Sequence, residues 1–71
     1  MPTAFNNRLV CAMRTHDIED IDQAVMFLRM SGHDDEAIRA RFNVARNEAG
    51  MPDLSAAEHD HLMLQCDELG A

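Results

Sequence analysis

Two cysteines and four histidines are the side chains in this sequence with the most obvious claim to chemistry. Zinc requires three or four nitrogen or sulfur ligands converging on a tetrahedron, usually delivered as close CxxC or HxxxH pairs. His59 and His61 are two apart, which on a helix turns them about 200° from one another, so they cannot face one ion. Cys11 and Cys66 each lack a close cysteine partner, and only His59 and Cys66, seven apart, share a helix face. The spacing therefore predicts no metal site and no cofactor. Cys11 and Cys66 can be imagined as a disulfide tying the two ends of a small core together. The sequence shows no export signal, however, and cytosolic thiols stay reduced. A nucleophilic cysteine would need a pocket and a base held by a third group. A chain this short leaves little room for a pocket of several hundred Å³, and no Gly-rich phosphate loop or HExxH is present. The expectation is a protein that is not an enzyme.

Charged side chains offer two further constellations. Asp17, Glu19, Asp20 and Asp22 form an acidic cluster. It lacks the internal Gly and the terminal bidentate Glu of a calcium loop, so it reads as the solvated face of a helix, open to a basic partner. Arg39, Asn43, Arg46 and Asn47, with Arg41 beside them, form the other. Arg and Asn are the side chains that read G and A edges in nucleic acid, and Arg also pairs with phosphate. Those five are the candidate partner-binding or nucleic-acid-binding residues. The plain alternative is an exposed polar helix face whose arginines pair with nearby acids.

The elements that must carry these residues are helices. Thr3 can cap a first helix over 4–15, with Phe5, Leu9, Ala12 and Met13 as its apolar stripe. Asp17 caps a second over 18–30, where Ile18, Ile21, Val25 and Leu28 repeat every three or four residues. Ala24, Met26 and Phe27 widen that face, so the C-terminal half of this helix should be nearly surrounded. Asp34 starts a third helix over 34–49, with Asp35 and Glu36 at the positive end of its dipole and Ile38, Phe42, Ala45 and Ala49 on one face. Ser55 and Glu58 make a capping box for a fourth over 56–69, with Leu62, Cys66 and Leu69 facing inward and Gly70 ending it. The short link Ser31–Gly32–His33 predicts that helices two and three form an αα-hairpin. The reading is an all-α bundle of about four helices in one domain spanning 1–71. The fourth helix, with the narrowest apolar face, is the one suited to swing out or to complete a dimer.

Residues 32–49 also resemble the helix-turn-helix of small bacterial and phage regulators. Gly32, Ile38, Phe42, Val44 and Ala49 fall where that family keeps its turn glycine and its buried apolar positions. Asn43 stands where the tight turn usually has Gly, and Asn tolerates the left-handed conformation. Ala45 replaces the usual capping Ser or Thr, and Gly50 and Pro52 shorten the second helix. The resemblance implies a break near Asn43 and a DNA-reading role for Arg39, Arg41, Asn43, Arg46 and Asn47. One unbroken helix over the same residues is the competing reading.

Charge bears on both. The net charge is -7, and the six basic residues are all arginine, which a GC-rich coding bias explains. Residues 16–36 and 51–71 are strongly acidic, whereas 1–15 and 37–50 are slightly basic. Such a field repels nucleic acid and anionic membranes and favours basic partners. No apolar run is long enough to span a membrane, so a cytoplasmic protein is expected. A core this small rarely supplies more than about 3–5 kcal/mol alone, which favours a homodimer. Six methionines stand in for scarce aromatics, as adaptable core filler for the most part. In size and charge the chain is similar to small acidic phage and mobile-element proteins that shut off host machinery. The preferred expectation is a regulator or inhibitor acting by protein–protein contact, with a helix-turn-helix DNA-binding regulator as the alternative.

Overall fold

A computed structural model describes residues 3–70. Four helices account for most of them: α1 (Thr3–Thr15), α2 (Ile18–Met30), α3 (Asp35–Glu48) and α4 (Ala56–Leu69), with no strand among the described residues. α1 begins at Thr3; the capping role expected of that side chain lies outside the described residues.

The other starts follow from side-chain caps. The Asp17 carboxylate accepts from the Asp20 N–H and the Asp34 carboxylate from the Ala37 N–H at 2.8 Å. Ser55 and Glu58 bond each other's backbone N–H at 3.1 and 3.0 Å, a complete capping box. The ends follow one rule. Gly32 and Gly50 take φ of +92° and +78° just past α2 and α3. Beyond them, His33 N–H donates to Leu28 C=O and Met51 N–H to Arg46 C=O, the long bond of a Schellman stop. α1 ends the same way, with Asp17 N–H on Ala12 C=O at 3.0 Å. There the left-handed residue is His16, at φ +54°.

α2 and α3 pack against each other as an αα-hairpin, α1 lies along both, with its broadest contact on α3, and α4 closes onto α2. The core is built from Leu9, Ala12 and Met13, from Ile21, Ala24, Val25 and Leu28, from Ile38, Phe42 and Ala45, and from Leu62 and Cys66. Phe42 is wholly buried at its centre. Leu54, in the segment between α3 and α4, is buried as well.

Two expectations about burial need correcting. The C-terminal half of α2 is not surrounded: Met26, Phe27 and Met30 are exposed, because α1, α3 and α4 pack on its other sides and leave that one open. Leu69 is exposed rather than inward, being at the last turn of α4 where the bundle ends. His59, outside the apolar stripe read for α4, is also buried, at 6 % exposure, because it falls on the same face as Leu62 and Cys66. No helix is long and apolar enough to cross a membrane among the described residues.

Candidate functional site

α3 runs unbroken through Asn43, without the turn that a two-helix reading of this segment places there. Its stripe Arg39, Asn43, Arg46 and Asn47 recurs at four, three and one, so these side chains emerge on one side of the helix. That side faces the segment joining α3 to α4. Arg39 donates from Nη2 to the Leu54 carbonyl at 2.8 Å, and Asn43 Oδ1 accepts the Leu54 N–H at 2.8 Å. Arg46 Nε donates to the Pro52 carbonyl at 2.8 Å. Asn47 Nδ2 donates to the Asn43 carbonyl and to the Asp53 carboxylate, both at 2.6 Å. The stripe is thus a ladder that grips residues 52–54 and seats Leu54 in the core. The backbone polar groups of a chain that would otherwise cross the bundle unsupported are satisfied by it. Arg41 is not part of the ladder. Two residues from Arg39, it points to another side of α3, and its Nε is buried without a partner.

Behind the ladder lies His59. Its ring packs against Phe42, centroids 6.1 Å apart at 55°. Neither ring nitrogen has a hydrogen-bond partner. Burial pushes its pKa below the ordinary histidine value, and the Arg39 guanidinium adds to the effect; Asp35 and Asp60 oppose it. His59 is therefore neutral at physiological pH.

The acidic cluster is divided among several sides of the molecule. Asp17 is consumed as the α2 cap. Asp20 meets Arg8 of α1 at 3.6 Å. Asp22 lies on the α4 side, where with Asp67 it raises the Cys66 thiol. Glu19 is exposed. Side chains at 17, 19, 20 and 22 point in different directions because each residue turns about 100° from the last.

The two cysteines are free, Cys11 exposed on α1 and Cys66 buried on α4. Burial, then the charges of Asp22 and Asp67, push the Cys66 thiol up to about 11. No group of three or more His, Cys, Asp or Glu converges as metal ligands would among the described residues.

Contrary to the expectation from chain length, two grooves of several hundred Å³ exist. One, of about 350 Å³ between α1 and α2, is walled by Phe5 and Phe27, their ring centroids 4.9 Å apart, and by the Arg8–Asp20 pair. The other, of about 420 Å³, has a floor of Met13, Ile21, Leu54 and Leu62 and a rim that includes His16, Arg46, Glu58 and His61. Neither cysteine lines either groove. Comparison with models of known families, with characterised proteins and with solved structures returned no match to this chain.

Proposed function

We propose that this chain is a small, non-enzymatic cytoplasmic regulator or inhibitor that acts by contact with a protein carrying a basic surface. The observation that supports it is the excess of thirteen carboxylates over six arginines and where the excess stands. Arg8 and Arg29 pair with Asp20 and Asp35, while Arg39 and Arg46 are held on linker carbonyls, away from the carboxylates. Glu19, Glu36, Asp60, Asp67 and Glu68 remain exposed with no arginine against them among the described residues. A surface of that sign attracts a basic partner over a Debye length and rejects phosphate backbones. A protein surface that otherwise meets nucleic acid is the fitting target.

The DNA-binding alternative draws on the same Arg and Asn residues. An unbroken α3 and a stripe engaged with its own linker both weigh against it. The test is affinity capture from a lysate of the native cell across low and moderate salt, beside a variant carrying Glu36→Gln, Asp60→Asn, Asp67→Asn and Glu68→Gln. A protein held at low salt, released at moderate salt and not held by the variant is expected. No retained protein at any salt, or a duplex DNA shift that survives physiological ionic strength, overturns the reading.

A further inference from the structure

α2 carries an outer stripe whose methionines no other helix covers. Glu19, Asp22, Met26, Arg29 and Met30 recur at three, four, three and one; Glu19, Met26 and Met30 stand opposite the buried Ile21, Ala24, Val25 and Leu28, and Asp22 and Arg29 stand on the flank toward α4. Met26 is 56 % exposed and Met30 87 %. One turn apart and rimmed by charge, the two methionines give the outer side of α2 an apolar centre.

The order of charge along the stripe says what fits it. The acids stand in the N-terminal half, Arg29 stands near the C-terminal end, and Met26 lies between them. Asp22 and Arg29 are seven apart, two helical turns, so they share one flank of the stripe. When two helices pair antiparallel, like flanks meet. A second copy of α2 laid antiparallel across the first, with Met26 near the twofold axis, therefore sets Arg29 of each copy opposite Asp22 of the other. Symmetry makes that pair twice. Met26 then packs on Met26, and the helix dipoles oppose one another favourably. A parallel arrangement would instead stack acid on acid. Arg29 is able to serve: its present contact with Asp35 is 3.5 Å long with both side chains exposed, a geometry that contributes little.

We propose that this stripe is an isologous, antiparallel homodimer interface. It goes beyond the contact with a foreign partner and needs none. One helix pair falls at the small end of interfaces, under about 1,200 Å², so the dimer is weak and concentration-dependent.

Sedimentation equilibrium from micromolar to millimolar protein tests it. Physiological salt is suitable, because a Debye length of about 8 Å screens the like net charges while leaving close pairs in force. The wild-type chain should pass from monomer to dimer over that range. Met26→Glu should raise the dissociation constant about tenfold or more, and Asp22→Arg and Arg29→Glu about tenfold each. Mixed together, the two single reversals should recover wild-type affinity as a heterodimer, since every facing pair is again opposite in sign. Met30→Glu, at the most exposed of these sites, repeats the test of Met26 should that variant lose its helical spectrum. A monomer at every concentration overturns the proposal. So does a dimer that these substitutions leave unchanged, or a mixture that does not recover. The readout involves no other protein, so it stands or falls separately from the proposed partner contact.

Discussion

Both ring nitrogens of His59 sit in the core without a bonding partner, and that has a measurable consequence. A buried, unsatisfied polar group costs about 1–3 kcal/mol. His59→Leu keeps the volume close and removes the polar atoms, so the variant should be the more stable, by about 1 kcal/mol or a few degrees in Tm. The pH dependence sharpens the test. The folded-state pKa of His59 lies below its unfolded value of 6.5. As pH falls past 6.5 the unfolded chain takes up a proton that the folded chain refuses, so stability is lost from there down to the folded pKa. Thermal melts between pH 7 and pH 5 should show that loss in the wild type and less of it in His59→Leu. Cys66 gives the mirror case. Its thiol is held up to about 11 against 9.0, so stability should fall as pH rises through that interval, where only the unfolded chain ionises. At neutral pH a maleimide should label the exposed Cys11 promptly and Cys66 only as the bundle opens, giving a single adduct by mass spectrometry. The face shared by His59 and Cys66 was legible in their spacing. The burial of His59 was not, because one imidazole among His, Asp and Gln neighbours carries no apolar signal.

Elements declared themselves where a local rule sufficed. Asp17, Asp34 and Ser55 each placed a helix start, because these side chains satisfy backbone groups within four positions of themselves. What depended on distant chain was hidden. The α3 stripe looked like a free polar face, yet it bonds residues 52–54, and nothing in its own sequence names that partner. Leu54, outside every apolar stripe, showed no sign of its burial for the same reason. Asn43→Ala should leave the part-buried Leu54 N–H unbonded and destabilise the chain by about 1–2 kcal/mol, read as a lower midpoint in urea with an unchanged slope. The end of α1 makes the opposite prediction. His16 holds a left-handed φ of +54°, which strains a side chain that has a Cβ by about 1 kcal/mol. His16→Gly should raise Tm by about 4–8 °C, as expected when such strain is relieved in a domain of this size.

On the scale of the whole molecule, electrostatics works against the fold. The chain carries -7, while its ion pairs among the described residues are Arg8–Asp20 and Arg29–Asp35, both solvent-exposed. Exposed pairs contribute about 0–1 kcal/mol each and weaken in salt. Repulsion among carboxylates spread over a molecule with extents of 29 × 24 × 21 Å acts over distances comparable to the Debye length at low salt. That length shrinks from about 30 Å at 0.01 M to about 3 Å at 1 M. The repulsion is therefore relieved more than the two attractions are lost, and added sodium chloride should stabilise the protein. Tm should climb by a few degrees from about 0.01 M to about 0.5 M salt, most of it below about 0.15 M, where the screening length changes fastest. Neutralising Glu36, Asp60, Asp67 and Glu68 to their amides should raise Tm at low salt and flatten that climb. A wild-type Tm that falls with salt would mean that the two ion pairs outweigh the repulsion among the carboxylates.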